Sequence, residues 1–174
     1  ELFFASGGGG LGLFTAIARL RGVHERIAGQ LEQNGINLFA QHVDRIGIST
    51  LIEMFRSERD SCLLGTDAVR DGVDVPGDPL RLIVFDRVPW PRPSIAHKAR
   101  REAFGGRTYD ERLVRLKLRQ AFGRLIRKAD DRGVFVLLDP MMPTRLMSAF
   151  PEGIEIEKVG LKEALESVRS FLKT

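Results

Sequence analysis

The chain of 174 residues contains little cysteine and few aromatic rings other than phenylalanine, with one Cys, one Trp and one Tyr. Because Cys62 is the only thiol, the chain cannot form a disulfide framework or a cysteine metal site by itself, and this favours a reducing compartment. No apolar run approaches the length of a bilayer span, and ELFFASGGGG lacks the basic segment and cleavage signal of a secretory peptide. These absences predict a cytoplasmic protein without membrane contact.

The length and the composition predict one domain. A chain that is 43% apolar can bury one sizeable core over residues 1–174, but it is short for two. Because the chain begins with Glu1 rather than Met, we expect it to be a piece of a longer protein.

Two motifs of a nucleoside triphosphatase are also missing. The glycines of SGGGGLGLFT precede a predicted strand and no Lys follows them, whereas a phosphate-binding loop, GxxxxGK[ST], follows a strand and ends in Lys and Ser or Thr. No Asp-Glu pair ends an apolar strand, where it would hold a magnesium ion. We therefore expect that the chain alone does not hydrolyse ATP and that the glycines form a flexible entry to the sheet.

Positive charge, in contrast, is concentrated in one part of the chain. The formal net charge is +4, but residues 92–132 hold 13 Lys and Arg against 5 Asp and Glu. Such a block attracts polyanions such as phosphates or nucleic acid. A solvated helix face explains the charge equally well when the charge is considered alone.

Apolar, β-rich runs alternate with longer amphipathic segments along the chain. The predicted strands are 11–15, 37–41, 61–66, 80–87 and 133–139, with an edge strand at 154–158. The predicted helices are a first one that ends near 32, then about 47–57, 94–104, 109–128, 144–149 and 161–172. This pattern is typical of an α/β domain with a mostly parallel sheet covered by helices on both faces. Sites in such folds lie beyond the carboxyl ends of the strands.

The stretch QAFGRLIR places two arginines and a glycine on one stripe of a predicted helix. At about 100° per residue, Gln120, Gly123, Arg124 and Arg127 share this stripe, while apolar residues fill the opposite one. The apolar stripe supplies the buried face. The polar stripe is therefore expected to face a ligand or another backbone, which the glycine allows to come close.

Two loops that follow predicted strands carry further candidate residues. In LLGTDAVRDGVDVPGDP (63–79), a threonine and three carboxylates lie within nine residues, which is more than a plain polar turn requires. In FDRVPWPRPS (85–94), three prolines stiffen the backbone, and Trp90 either stacks on a nucleobase or packs against its own loop.

Three segments resemble, in this order, the fourth, fifth and sixth motifs of superfamily-two helicases: LGLFTAIARL, LLGTDAVRDGVDVPG and QAFGRLIR. Their residues are most similar to those of the DinG/XPD-like branch. The resemblance extends from about residue 11 to 140 and includes DRGVFVLLDP. It implies a three-layer RecA-like domain, the second of two motor domains in an ATP-dependent DNA helicase. The first motor domain of the same polypeptide would make most of the contacts to ATP and Mg²⁺. Single-stranded DNA would be the track along which the protein moves. The iron–sulfur cysteines of many relatives belong to that other domain, so no cluster is expected within this chain.

For the sixth motif, the resemblance implies roles at the nucleotide. Arg124 and Arg127 would contact the γ-phosphate of ATP across the cleft, where a guanidinium stabilises the charge that develops on the transferred phosphoryl group. Gln120 would orient the nucleotide or the attacking water, and Gly123 would allow close approach.

For the fourth and fifth motifs, the resemblance implies contacts at both the nucleotide and the strand. Gly72 and Asp74 would lie at the edge of the nucleotide. Thr15 and Thr66 would contact the phosphate backbone of the single strand, a contact that positions the strand without selecting its sequence. Trp90, from the proline-rich loop, is a further candidate for contact with nucleic acid.

Two other functions remain open on the sequence alone. A binding module derived from a helicase, without motor activity, would keep Arg124 and Arg127 for contact with nucleic-acid phosphates. An unrelated α/β enzyme would use the same basic stripe for a small phosphorylated substrate. The three histidines, at 24, 42 and 97, have no metal-ligand spacing, so no metal site is predicted.

Overall fold

The computed structural model describes residues 1–72, 77, 79–128 and 131–173. The strands are β1 (Gly10–Leu13), β2 (Leu38–Ala40), β3 (Cys62–Gly65), β4 (Leu82–Phe85) and β5 (Val134–Leu137). The helices are α1 (Leu2–Ala5), α2 (Ile17–Gln33), α3 (Ile48–Ser57), α4 (Asp67–Gly72), α5 (Ile95–Ala103), α6 (Arg107–Leu125) and α7 (Leu161–Lys173), with a 3₁₀ helix, η1 (Thr144–Ala149).

All the paired strands of the described residues run parallel, in the order β2-β3-β1-β4-β5. In the central strand β1, Gly10 lies opposite Cys62 on one side and Leu82 on the other. The carboxyl ends of β1, β3 and β4 therefore meet at one edge of the sheet, where the predicted site residues follow them. The predicted parallel α/β architecture is confirmed.

Alternate residues of each strand face opposite layers, and both layers are covered by helices. One core cluster joins strand residues to α3 and α6: Leu11, Leu13, Phe55, Leu63, Ile83, Phe85, Val114 and Leu118. The other joins strand residues to α1 and α2: Phe3, Leu20, Leu31, Cys62, Leu64, Leu82 and Val84. Burial on both faces explains why the strands are nearly continuous apolar runs.

Local sequence explains where some of the helices begin and end. The Ser94 hydroxyl oxygen accepts the His97 N–H at 3.0 Å, which caps the start of α5. Helix α2 stops at Asn34, and Gly35 follows in the left-handed region with a φ of 74°.

Gly8, Gly9 and Gly10, which lead into β1, are closely packed, so the expectation of a flexible entry is wrong. A Cβ at Gly8 would lie 2.6 Å from the Asp60 carbonyl carbon, and a Cβ at Gly9 would lie 2.5 Å from Arg81 Nη1. The Arg81 guanidinium donates from Nε to the Ser6 carbonyl at 3.0 Å and pairs with the Asp60 carboxylate at 3.0 Å. Glycine is required here because side chains would collide, and several of these residues have positive φ.

The helix predicted at 109–128 ends earlier, and Arg127 is not part of it. Ile126 ends α6 with an extended backbone, and the Asp131 carboxylate accepts the N–H groups of Arg127 and Lys128 at 2.8 and 2.9 Å. These two N–H groups, with Lys128 first, hold the pKa of Asp131 below its ordinary value. The prediction that one helical stripe carries all four residues is therefore wrong for Arg127.

Two further predictions about elements differ from the structure. The edge strand at 154–158 does not form, and Ile154 and Ile156 remain 41% and 44% exposed. The loop after β3 contains a short helix, α4, which the sequence pattern did not indicate.

Candidate nucleotide pocket and nucleic-acid groove

The end of α6 and helix α4 together form an open pocket. This pocket, the candidate nucleotide pocket, has a volume of about 440 Å³ and is lined by Arg70, Asp71, Gln120, Gly123 and Arg124. Three of the four residues singled out in QAFGRLIR are thus brought together. Helix α6 places them there because its other side is fixed in the core.

Gln120 and Gly123 leave one wall of the pocket accessible. Both are exposed, and the Gln120 amide makes no hydrogen bond to another residue of the described ranges. A Cβ at Gly123 would meet no atom within 4 Å. The protein itself does not need a glycine at this position for packing, so the open space is available to a ligand.

Arg124 is tied to α4 through one of its nitrogens. Its Nη2 donates to the Asp71 carbonyl at 3.0 Å, and the Asp71 carboxylate in turn accepts from Arg70 Nε and Nη2 at 3.0 and 2.8 Å. Two guanidinium groups thus line the pocket beside one carboxylate. Arg70 is 6% exposed and also pairs with Asp67, so of the two guanidinium groups it is Arg124 that keeps N–H donors for an anion.

The remaining predicted nucleotide contacts lie elsewhere. Arg127 is exposed and does not line the pocket, but its Nε lies 3.4 Å from the Arg124 carbonyl oxygen. Gly72 ends α4, and a Cβ there would lie 3.2 Å from Ile52 Cδ1, so a side chain at this position would require Ile52 to shift by a few tenths of an ångström. Asp74 lies outside the described residues.

A second depression, the candidate nucleic-acid groove, opens at the carboxyl ends of β1 and β3. It has a volume of about 470 Å³ and is lined by Phe14, Thr15, Ile17, Thr66, Asp67, Ala68, Pro89, Trp90, Arg92 and Lys117. All three residues predicted to contact nucleic acid, Thr15, Thr66 and Trp90, line it. Trp90 is 40% exposed, which leaves part of its ring open for stacking.

Both threonines of the groove are held by residues that sequence reasoning missed. Asp86 accepts the Thr15 N–H at 3.0 Å and its hydroxyl at 3.3 Å. Gln41 Oε1 accepts both the N–H and the hydroxyl of Thr66 at 2.9 Å. A hydroxyl has a single hydrogen, so each threonine must turn that hydrogen away from its protein acceptor to donate to a phosphate.

The cations of the groove are Lys117 and Arg92. Lys117 Nζ lies 2.8 Å from Asp67 Oδ2, and Arg92 Nη2 donates to the Thr15 carbonyl. Sequence reasoning counted both residues in the basic block but did not single them out, because no spacing distinguishes them from their basic neighbours.

The described residues provide little for a metal ion. No group of three or more His, Cys, Asp or Glu side chains comes together there as a metal site. Cys62 is buried in β3, and burial raises the pKa of its thiol to about 12. In the same part of the chain, no helix is long and apolar enough to cross a membrane.

Comparison with known proteins identifies the class of this domain. Residues 1–156 match the model of the helicase C-terminal domain family, and the chain belongs to that family. The branch follows from its relatives, among them the ATP-dependent helicase DinG of Mycobacterium tuberculosis, which is 36% identical over 157 residues, 86% of this chain and 23% of that protein. The resemblance to DinG-like helicases that the three motifs indicated is confirmed.

Two other relatives have different names. The 3'-5' exonuclease DinG of Bacillus subtilis is 32% identical over 141 residues, 76% of this chain and 15% of that protein. The ATP-dependent DNA helicase YoaA of Escherichia coli is 39% identical over 102 residues, 55% of this chain and 16% of that protein. The chain spans less than a quarter of the length of each of these relatives.

Proposed function

We propose that the chain is the second RecA-like motor domain of an ATP-dependent DNA helicase. In this proposal it presents arginines to an ATP·Mg²⁺ complex held mainly by the first motor domain of the same polypeptide, and it grips single-stranded DNA. The main support is the separation of the candidate residues into two places. Gln120, Gly123 and Arg124 line one pocket, while Thr15 and Thr66 line a groove.

At the nucleotide, the chain contributes positive charge rather than covalent chemistry. An arginine placed where charge develops on the transferred phosphoryl group is worth about 10³ to 10⁵ in rate. Arg124 suits this role because its bond to the Asp71 carbonyl orients the guanidinium and leaves other N–H donors for the phosphate. Arg127, next to it at the rim, is the second candidate. Magnesium and any iron–sulfur cluster belong, in this proposal, to the rest of the polypeptide.

At the strand, the groove combines charge with a surface for stacking. Lys117 and Arg92 would neutralise phosphates, and Trp90 would stack on a base, so binding would be independent of sequence and sensitive to salt. The name of the YoaA relative, a DNA helicase, supports DNA as the track. A cytoplasmic location is consistent with such a track.

ATP hydrolysis by the complete protein that contains this chain tests the proposal. We expect single-stranded DNA to stimulate turnover, and we expect Arg124→Ala or Arg127→Ala to lower it by about 10³-fold or more while the protein stays folded. Arg112→Ala is the matched control, since Arg112 is exposed on the same helix and lines neither the pocket nor the groove. Unchanged turnover in both arginine variants would contradict the assignment. If the wild type binds single-stranded DNA but never hydrolyses ATP, the chain is a binding module derived from a helicase.

A further inference from the structure

Helix α4 lies between the groove and the pocket and contributes a carboxylate to each. Asp67, its first residue, lines the nucleic-acid groove, and Asp71, one turn later, lines the nucleotide pocket. Arg70 binds both carboxylates, and its side chain is only 6% exposed. Because this guanidinium is shielded from water, its ion pairs are screened less than pairs on the surface.

These contacts form a continuous line of charged groups. Lys117 Nζ lies 2.8 Å from Asp67 Oδ2, and Asp67 Oδ1 lies 2.8 Å from Arg70 Nη1. Arg70 Nη2 then lies 2.8 Å from Asp71 Oδ1, and the Asp71 carbonyl accepts from Arg124 Nη2 at 3.0 Å. A cation of the groove is thereby connected to the arginine of the pocket through direct contacts.

We propose that Asp67 couples strand binding in the groove to the position of Arg124 in the pocket, a proposal that rests on the function proposed above. A strand phosphate competes with Asp67 for the Lys117 ammonium. When Lys117 turns to the phosphate, Asp67 is left with Arg70 as its partner and draws that guanidinium toward itself. The hold of Arg70 on Asp71 weakens, and Arg124 Nη2 is freed from the Asp71 carbonyl. Arg124 can then move from this resting position onto the γ-phosphate, which raises turnover.

Asp67 has no evident purpose as a strand contact. A carboxylate in a groove for a polyanion repels its ligand, so electrostatics alone predicts that loss of this charge tightens DNA binding. Coupling predicts something different, namely that loss of this charge disconnects the two sites. The two effects are separable because one concerns affinity and the other concerns the response of turnover to DNA.

The decisive variant is Asp67→Asn in the complete protein. We expect affinity for a fluorescent single-stranded oligonucleotide to be unchanged or higher, and we expect the ratio of ATP turnover with DNA to turnover without DNA to fall at least five-fold. Because coupling between binding sites is reciprocal, a non-hydrolysable ATP analogue should change the DNA Kd of the wild type but not that of the variant. Asp67→Glu keeps the charge and should restore part of the stimulation.

Asp60→Asn is the matched control. Asp60 is 60% exposed and lies 3.0 Å from Arg81, which is 11% exposed, while Asp67 is 55% exposed and lies 2.8 Å from Arg70. Both substitutions remove a surface carboxylate from a shielded arginine, but Asp60 lies at the amino end of the sheet, away from both sites. Equal melting temperatures of the two variants would exclude a folding effect as the cause of a difference in stimulation.

Two results would overturn the coupling. One is wild-type stimulation in Asp67→Asn, and the other is a loss of DNA affinity large enough to account for the lost stimulation. A wild-type protein whose turnover does not respond to DNA would overturn the proposed motor function, and the coupling with it.

Discussion

Gly72 in the fifth motif and Gly123 in the sixth differ in the space that surrounds them. A Cβ at Gly72 would press on Ile52 of α3, whereas one at Gly123 would enter empty space at the pocket. The role of Gly72 at the nucleotide edge stays a prediction, since the limited space beside Ile52 is a separate reason for a small residue there. Gly123 is different, because within a helix a glycine is a disadvantage that the fold does not require.

Gly123→Ala should therefore stabilise the domain while it impairs the enzyme. Alanine in the helix should add about 0.5–1 kcal/mol to the free energy of unfolding. The added methyl group would shift a nucleotide that packs against α6, and a displacement of about 1 Å can cost up to about 10²-fold in turnover. Denaturant unfolding and steady-state ATP hydrolysis of the complete protein measure the two effects.

Gly29→Ala is the control for this substitution. Gly29 is an exposed helical glycine of α2, and a Cβ at this position would likewise meet no atom within 4 Å. It should give a similar gain in stability and leave turnover unchanged. If Gly123→Ala also leaves turnover unchanged, no ligand packs against this part of α6.

At the scale of elements, a buried glutamate joins α6 to η1. Glu111 is buried and pairs with Arg145 at 2.6 Å, Arg107 at 3.2 Å and Arg115 at 3.4 Å. The hydrogen bond from Arg145 is the main reason that the pKa of Glu111 lies below its ordinary value. The ionised carboxylate therefore stabilises the folded state.

Glu111→Gln should lower the melting temperature at neutral pH. Because the folded-state pKa is depressed, the stabilisation is present above the ordinary Glu pKa and is lost as the pH falls through the folded-state pKa. The difference in melting temperature between wild type and variant should therefore shrink as the solution is acidified below the ordinary Glu pKa. Thermal unfolding over a series of pH values measures it.

An exposed glutamate provides the comparison for Glu111. Glu53 lies on α3 with a side chain 70% exposed and 4.0 Å from Arg56. Glu53→Gln should change the melting temperature little at any pH, since exposed pairs contribute little. A difference for Glu111→Gln that does not depend on pH would mean that shape, and not charge, holds η1 to α6.

The sequence predicted the helices and strands whose apolar patterns are long. The predictions failed where an element is short or where a local hydrogen bond determines its end. The β-rich runs indicated the parallel sheet because burial on both faces requires them. Helix α4 escaped notice because its six residues include Asp and Gly, which are typical of turns. The end of α6 was misplaced because the Asp131 side chain captures two N–H groups. The alternating pattern at 154–158 indicated a strand, but no neighbouring strand pairs with it among the described residues.

At the scale of the whole molecule, the sheet order assembles the groove. The order of the motifs predicted Thr15 and Thr66 as strand contacts, but it did not predict the side chains that accept their hydrogen bonds. Asp86 is 71 positions from Thr15, and Gln41 is 25 positions from Thr66. Such pairs depend on which strands are neighbours. Without the order β2-β3-β1-β4-β5, no spacing in the sequence reveals them.

The reactivity of the Cys62 thiol measures how often the core opens to solvent. Its thiol is buried between the sheet and the α1 and α2 layer, and the raised pKa of about 12 leaves almost no thiolate near neutral pH. We expect a disulfide reagent such as Ellman's reagent to react with Cys62 many times more slowly in the native chain than in the chain unfolded by denaturant. Absorbance of the released thiolate follows the reaction, and labelling at the rate of an unfolded chain under native conditions would contradict the burial of β3.

The ring of Phe3 occupies the space above Gly10, with Phe3 Cδ1 2.5 Å from a Cβ built at Gly10, whereas a Cβ built at Gly12 would first meet Leu64 Cδ2 at 2.8 Å. The side chains at positions 3 and 10 therefore compete for one space between the first helix and the central strand. We expect a larger residue at position 10 to be tolerated in related chains only together with a smaller one at position 3. Gly10 and Phe3 should thus be inherited as a pair.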